Sequence, residues 1–190
     1  MSGSSGMKWP REEFAKCAAG LYGRHVVIVG FGNIGEYAGK MLKPFGVRIT
    51  GIKRTVPKIF PEWFDDVDAI LPADKLDEIL HTVDHLICIL PGDTGTTNMF
   101  NAERLVLLPK HACFYNLGRG NCVDEQALAT ALCEGKLSGA ALDVFQEEPL
   151  PMNSPLRKAP NICLMPHASA MSDDYLELYI KKFVEKIKDF

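Results

Sequence analysis

An apolar run that leads directly into a Gly-x-Gly-x-x-Gly pattern constrains the fold of this 190-residue chain more than any other feature. Residues 26–29, Val-Val-Ile-Val, are typical of a buried strand, and the pattern then supplies Gly30, Gly32 and Gly35. Gly30 permits a tight turn, and Gly32 has no β-carbon to keep an anion away from the backbone. Gly35 lets the following helix pack closely on the sheet. The pattern therefore predicts a strand, a tight turn and a helix in close contact.

The start of that helix is the second half of a potential phosphate site. We expect the backbone amides of Asn33 and Ile34 to face a phosphate, with the helix dipole behind them. Because the glycines stand between a strand and a helix, they predict a dinucleotide site. A glycine turn with a purely structural role is the alternative.

The length and charge of the chain narrow its class. A chain of 190 residues fits one domain, or one domain and a small appendage. A net charge of -3 argues against a nucleic acid or an anionic membrane surface as the main partner. No apolar run is long enough to span a bilayer.

The six cysteines are predicted to be buried thiols with a structural role. None stands in a Cys-x-x-Cys pair or beside a histidine at metal-ligand spacing, so no metal site is expected. Cys88, Cys113 and Cys163 lie in apolar, strand-like runs, where a thiol behaves as a small core residue. Free thiols are typical of a reducing compartment, and we expect a cytoplasmic protein.

Short apolar runs alternate with helical patterns along most of the chain. Strands are predicted at residues 25–29, 47–52, 85–90, 112–116, 139–144 and 161–165. Helices are predicted at residues 11–18, 33–44, 75–82, 101–107, 124–134 and 172–188. Near-continuous apolar strands indicate burial on both faces, as in a parallel sheet. The alternation therefore predicts an α/β fold with a doubly wound parallel sheet of the Rossmann type.

Two basic residues follow the second predicted strand, about twenty residues after the glycines. At this point of a Rossmann unit an acidic residue binds the ribose 2′-hydroxyl of NAD. Here Lys53 and Arg54 take that place. Two cations attract a 2′-phosphate, which a carboxylate would repel, so the sequence favours NADP over NAD. A solvated basic loop is the alternative.

Three polar segments begin just past the ends of later strands, at the edge where open α/β sheets bind ligands. Arg119 lies in Asn-Leu-Gly-Arg-Gly at residues 116–120. Asp143 and Glu148 lie in Ala-Leu-Asp-Val-Phe-Gln-Glu-Glu-Pro at residues 141–149, and His167 lies in Pro-His-Ala-Ser at residues 166–169. The remaining histidines are interpreted as surface or element-end residues: His25, His81, His85 and His111.

With the glycine motif, these segments resemble the cofactor-binding domain of the D-isomer-specific 2-hydroxyacid dehydrogenases. Four motifs occur in the family's order and spacing, and the resemblance runs from Trp9 to the C-terminal helix. It implies that Arg119 binds the carboxylate and carbonyl of a 2-oxo acid, that His167 is the acid/base, and that Glu148 orients and charges His167. It also implies that Asp143 holds the nicotinamide carboxamide, although a strand-end cap is the alternative for this residue. The cofactor-lining apolar positions of the family correspond to Leu90 and Leu117.

The chemistry of these side chains supports those roles. Reduction of a 2-oxo acid requires a hydride from a nicotinamide and a proton for the developing alkoxide. An imidazolium held by a carboxylate can donate that proton near neutral pH. A planar guanidinium matches the oxygens of the oxo acid in bidentate fashion.

Within the family, the sequence is most similar to the glyoxylate/hydroxypyruvate reductases. The basic pair after the second strand and the segment Glu-Pro-Leu-Pro at residues 148–151 carry that similarity. Related formate dehydrogenases have glutamine where this chain has Glu148, which favours a hydroxy acid over formate. The chain departs from the family pattern at Asn33, at Gly92-Asp93 and at residues 168–170, Ala-Ser-Ala, where a glycine-containing turn is usual.

The resemblance also suggests how the chain is divided. Residues 1–6 are interpreted as an expression flank, residues 7–171 as the dinucleotide-binding domain and residues 172–190 as a C-terminal amphipathic helix. The family's substrate domain is expected to be absent from this chain, so the chain alone should turn over poorly. Because the family's dimer contacts begin near residues 9–20, we expect a homodimer.

Two other functions remain open at this level. C-terminal-binding-protein corepressors share the fold and the same Arg, Glu and His, but they act as dinucleotide-sensing scaffolds. Lys53 and Arg54 count against that group, which resembles the acidic NAD-type proteins. An isolated NAD(P)-binding module without catalysis is the third hypothesis.

Overall fold

Seven parallel strands form a single sheet in the computed structural model, which describes residues 18–188. The strands are β1 (His25–Val29), β2 (Arg48–Lys53), β3 (Ala69–Pro72), β4 (His85–Cys88), β5 (Cys113–Asn116), β6 (Gly139–Leu142) and β7 (Ile162–Leu164). The helices are α1 (Asn33–Leu42), α2 (Leu76–Ile79), α3 (Ala102–Leu105), α4 (Glu125–Cys133) and α5 (Tyr175–Lys188). The strand order is β3-β2-β1-β4-β5-β6-β7, so the doubly wound Rossmann fold is confirmed.

The sheet is buried on both faces at its centre. All five residues of β1 are buried, and their side chains alternate between two cores. Val27 and Val29 pack into the larger core with Leu86 and Phe114. Val26 and Ile28 belong to the smaller core on the other face. This arrangement is the physical reason for the uninterrupted apolar run in the sequence.

The strand at residues 69–72 was not predicted from the sequence. β3 has only four residues and ends in Pro72, and both features weaken a strand pattern. It is tolerated because β3 lies at the edge of the sheet, where one side of the strand has no partner to satisfy. All six predicted strands are present, four of them shortened by one or two residues. The predicted helix at residues 11–18 lies outside the described residues except at its end.

The prediction that the cysteines are buried is wrong for Cys133 and Cys163, which are exposed. Cys163 is the middle residue of β7, the strand at the opposite edge of the sheet. Its neighbours Ile162 and Leu164 pack against the core, so alternation along the strand turns the thiol to the outside. Cys88 and Cys122 are buried, Cys113 is half-buried, and Cys17 lies outside the described residues.

His25 is an element-end residue, as expected, but it is not on the surface. It opens β1 and is buried. Its Nδ1 lies 3.0 Å from the Thr82 hydroxyl and its Nε2 lies 2.8 Å from the Thr50 hydroxyl. Burial, helped by the charge of Arg48, lowers the pKa of His25 to about 4, so the ring is neutral at physiological pH.

The C-terminal helix α5 forms as predicted, and all of its residues are exposed. Tyr175 stacks on Tyr179, and Tyr179 stacks on Phe183, which places three aromatic rings in one row. Within residues 18–188, no helix combines the length and the apolar character that a membrane crossing requires.

Candidate active site

The glycine turn after β1 has the close contacts that the motif predicts. Gly30 has a φ of 99°, and a β-carbon there would overlap the carbonyl oxygen of Ile89. A β-carbon on Gly35 would lie 2.5 Å from the carbonyl oxygen of Gly30, so the start of α1 sits directly on the turn. A β-carbon on Gly32 would meet nothing within 4 Å. The space beside Gly32 is therefore open to a ligand.

The first turn of α1 leaves donors for such a ligand. Its first hydrogen bond one helical turn back runs from the Glu36 amide to the Gly32 carbonyl, at 2.8 Å. The amides of Asn33, Ile34 and Gly35 come before it and have no helical acceptor. The Asn33 side chain borders a separate surface hollow with Trp63, and the Ile34 side chain is exposed. These two residues therefore offer backbone amides at the turn, and their side chains point elsewhere.

A cleft of about 810 Å³ opens beside the glycine turn. It lies where the strand order reverses between β1 and β4, the usual ligand position in an open α/β sheet. Lys53 and Arg54 line it at the end of β2, and Leu90 lines it after β4. Within the described part of the chain, neither basic residue has an ion-pair partner. The open turn, the free amides and the two unpaired cations fit a phosphorylated dinucleotide.

A hydrogen-bonded histidine and glutamate lie beyond the ends of β6 and β7. Nδ1 of His167 is 2.8 Å from Oε2 of Glu148, and the other Glu148 oxygen accepts the Phe145 amide at 2.9 Å. The hydrogen bond with His167, followed by that from Phe145, holds the pKa of Glu148 below its usual range. Glu148 is therefore ionised, and its carboxylate can stabilise a positive charge on the ring. The pair borders a second hollow of about 540 Å³.

His167 has an unusual backbone conformation. Its φ of 53° lies in the left-handed region, which costs a residue with a side chain about 1–2 kcal/mol. The buried carboxylate of Asp143 accepts the next two amides, Ala168 at 2.8 Å and Ser169 at 3.0 Å. Burial opposes ionisation of Asp143, but the hydrogen bonds from Ser169 and Ala168 outweigh it and lower its pKa.

Arg119 lies on the loop after β5, at the same edge of the sheet. Its side chain is turned back on the backbone, with Nη1 donating to the Gly118 carbonyl at 2.7 Å, and it is exposed. Its aliphatic part covers Gly92, where a β-carbon would lie 3.1 Å from two Arg119 carbons. Arg119 makes no hydrogen bond to Glu148 or His167 among the described residues. The loops of the three charged residues therefore share one edge, but only Glu148 and His167 are in contact.

Tight packing connects the Arg119 loop with the acid/base pair. Gly120 lies so close to Phe145 that any β-carbon would overlap the Phe145 carbonyl. Phe145 is the residue whose amide binds Glu148. The loop that carries the guanidinium and the loop that carries the carboxylate therefore have a fixed relation.

Residues 4–169 match the family model for the D-isomer specific 2-hydroxyacid dehydrogenase, NAD binding domain. The chain belongs to the D-isomer specific 2-hydroxyacid dehydrogenase family. The matched region contains the glycine turn, the cleft and the Arg119, Glu148 and His167 loops. This member of the family accordingly carries a binding domain for a nicotinamide dinucleotide.

Relatives with assigned names include reductases and dehydrogenases of small acids. The chain is 41% identical over 149 residues to a glyoxylate reductase of Thermococcus onnurineus, covering 77% of this chain and 42% of that protein. It is 34% identical over 167 residues to a D-3-phosphoglycerate dehydrogenase of Methanocaldococcus jannaschii, covering 88% of this chain and 30% of that protein. The chain therefore spans less than half the length of these relatives.

Solved structures of the family hold either form of the cofactor. An NADPH-dependent glyoxylate/hydroxypyruvate reductase of Sinorhizobium meliloti, in complex with NADP and sulfate, matches with a TM-score of 0.76 and 28% identity, over 94% of this chain and 59% of that one. An NAD-dependent formate dehydrogenase of Staphylococcus aureus, in complex with NAD, matches with a TM-score of 0.78 and 26% identity, over 97% and 54%.

Several residues that support these loops were not predicted from the sequence. Buried Asn116 accepts the Gly118 amide and donates to the Arg119 carbonyl, so it braces the arginine loop from below. A polar residue ending an apolar strand was a signal for this role. The Phe145 amide carried no signal, because any residue type supplies a backbone donor. Leu117, expected beside the cofactor, is 42% exposed and does not line the main cleft.

Proposed function

We propose that this domain is the cofactor half of a reductase that transfers a hydride from NADPH to a small 2-oxo acid, of the glyoxylate or hydroxypyruvate type. The observation that carries the proposal is the His167–Glu148 pair, held at 2.8 Å on the edge of the sheet that also bears the glycine turn. A nicotinamide site alone would need no such pair.

His167 is the proton donor in this proposal. The bound nicotinamide supplies the hydride to the carbonyl carbon, and the carbonyl oxygen then needs a proton. Glu148 occupies Nδ1 of His167, which leaves Nε2 to donate that proton. The ionised Glu148 stabilises the charged ring before transfer and fixes its orientation.

Arg119 is the carboxylate-binding residue. Its guanidinium is exposed and donates only to its own loop, at the Gly118 carbonyl, so a substrate carboxylate can replace that neutral acceptor. A charged acceptor is the stronger partner for a guanidinium. Asp143 stays a candidate for holding the nicotinamide carboxamide, since one of its oxygens accepts a single hydrogen bond.

The preference for NADP over NAD is supported by the end of β2. Lys53 and Arg54 line the cleft without ion-pair partners among the described residues. Asp74, which follows the neighbouring strand β3, lines the same cleft without forming an ion pair with either of them. Both cations can bind a 2′-phosphate, which the Asp or Glu of an NAD-type site would repel.

A calorimetric titration with NADPH and NADH tests this preference. We expect the wild-type protein to bind NADPH at least tenfold more tightly than NADH, a difference of about 1.4 kcal/mol in binding free energy. Lys53→Asp should abolish this difference. Lys110→Asp is the matched control, because Lys110 is exposed and precedes the amino end of β5, whereas the cleft lies at the carboxyl ends of the strands. Equal wild-type affinities for the two cofactors, unchanged in Lys53→Asp, would contradict the proposal.

The domain by itself is proposed to be a slow catalyst. The side chains of His167 and Glu148 are 48% and 36% exposed, so water reaches groups from which a closed reductase active site excludes it.

A homodimer and a cytoplasmic location complete the proposal. The five cysteines of the described region are all free, which suits a reducing compartment.

A further inference from the structure

We infer that Asp143 and Ser169 together form a clasp that holds His167 in its proton-donating orientation, so that both are positioning residues of the active site. The clasp consists of the Asp143 carboxylate, the Ala168 and Ser169 amides and the Ser169 hydroxyl. The inference rests on the proposed role of His167 as proton donor.

Three hydrogen bonds define the clasp. Oδ1 of Asp143 accepts the Ala168 amide at 2.8 Å. Oδ2 accepts the Ser169 amide at 3.0 Å and also the Ser169 hydroxyl. The hydroxyl bond depends on the residue type at position 169, because only a side chain with a hydroxyl group can supply it there.

The clasp explains how His167 keeps a left-handed backbone. A left-handed residue followed by two amides that point at one anion is typical of the backbone arrangement known as an anion nest. Without the anion, the positive φ of His167 would have no compensation, and the turn would relax toward ordinary backbone angles. Asp143 can supply that anion because the hydrogen bonds from Ser169 and Ala168 lower its pKa in spite of its burial.

One loop thereby fixes both the backbone and the ring of His167. Asp143 and Glu148 lie five residues apart in the loop after β6. Asp143 fixes the backbone of His167 through the clasp, and Glu148 fixes its ring through Nδ1. The ring can meet Glu148 at 2.8 Å only if the backbone places it there, so a weaker clasp should loosen the His167–Glu148 bond.

The tautomer of the His167 ring reports this bond directly. With Glu148 as acceptor, the neutral ring must carry its proton on Nδ1. A free imidazole prefers the proton on Nε2. Nitrogen-15 chemical shifts of the ring, measured by NMR on the 190-residue chain at about pH 8, give the ratio of the two tautomers. Hydrogen exchange of the Ala168 and Ser169 amides reports the clasp itself.

We expect Ser169→Ala to raise the Nε2–H population several-fold and to speed exchange of both amides about 5-fold, the effect of losing one hydrogen bond. Ser169→Thr retains the hydroxyl and should restore both readouts to within about twofold. Ser172→Ala is the control on the same segment, since its hydroxyl donates to Asp174 instead. Asp143→Asn should shift the tautomer ratio further than Ser169→Ala.

An unchanged tautomer ratio in Ser169→Ala would overturn the inference, as would an equal change in Ser172→Ala. Ser169 is exposed, so its substitution leaves the core intact and the result stays interpretable. Cofactor titration of the same samples separates this inference from the proposed function. A wild-type chain that binds no NADPH counts against the proposed function, whereas the tautomer ratios decide the clasp in either case.

Discussion

At the residue scale, the immediate contacts of a titratable side chain decide whether it is charged or neutral. Glu148 and Asp143 have lowered pKa values because hydrogen-bond donors face their carboxylates. His25 has a lowered pKa for a different reason, since burial penalises its charged form. The sequence alone does not show whether a histidine will lie beside a charged partner or be buried. His167 stands in a recognisable motif, whereas His25, expected to be a surface or element-end residue, opens β1 and is buried.

His25 should make the stability of the fold depend on pH. Its pKa is about 4 in the folded protein, against an ordinary histidine value of 6.5 in the unfolded chain, so the unfolded chain binds the extra proton between these values. The stability due to the neutral ring is therefore complete above about pH 6.5 and is lost as the pH falls toward about 4. Between about pH 7.5 and pH 5 we expect a loss of about 2 kcal/mol in the free energy of unfolding.

Urea denaturation across this pH range measures that loss. In His25→Gln the dependence should flatten, while His81→Gln, at an exposed position, should keep the wild-type slope. A slope that persists in full in His25→Gln would assign the effect to other groups.

At the scale of elements, different glycines of the turn between β1 and α1 serve the fold and the binding of a ligand. Gly30 and Gly35 are required by close backbone contacts, whereas Gly32 faces open space. The motif in the sequence predicted the turn because each contact is local. It could not predict β3, whose four residues become a strand only through pairing with β2. Strand pairing between distant segments is a tertiary event, so short edge strands leave little local signal.

The two glycines should respond differently to the same substitution. Gly35→Ala places a methyl group 2.5 Å from the Gly30 carbonyl oxygen and should destabilise the fold by about 1–3 kcal/mol or more. Gly32→Ala meets nothing in the protein and should change stability by less than about 1 kcal/mol, yet weaken NADPH binding at least tenfold. Thermal unfolding and cofactor titration of both variants provide the comparison. Normal NADPH affinity in a folded Gly32→Ala variant would remove the pyrophosphate from this turn.

At the scale of the whole molecule, the sheet orders the parts of the site from one side to the other. Lys53 ends β2 and Arg54 follows it, the glycine turn follows β1, and the proposed catalytic residues follow β5, β6 and β7. An extended dinucleotide along this edge would place its phosphates near β1 and its reactive end toward β5. The exposed row Tyr175, Tyr179 and Phe183 on α5 adds an apolar surface outside this arrangement.

The oligomeric state is the prediction that belongs to this scale. One chain has a mass of 21.0 kDa, so the proposed homodimer should sediment as twice that mass. Analytical ultracentrifugation between about 1 and 50 μM tests it, since exposed apolar surface favours association. A single species of one chain's mass over the whole range would contradict the dimer. In the segment expected to begin the dimer contact, residues 9–20, only residues 18–20 are described.

The sequence by itself determined the Rossmann class and the glycine turn, and it singled out Arg119, Glu148 and His167 as candidate site residues. These features depend on contacts between residues that are close in the sequence or on short motifs, so they can be recognised from the sequence alone. Only the tertiary structure decided that Asp143 accepts the two amides after His167, that the Phe145 amide donates to Glu148 and that His25 is neutral and buried. Each of these depends on a backbone amide or on burial supplied by a distant segment, and residue type alone carries neither.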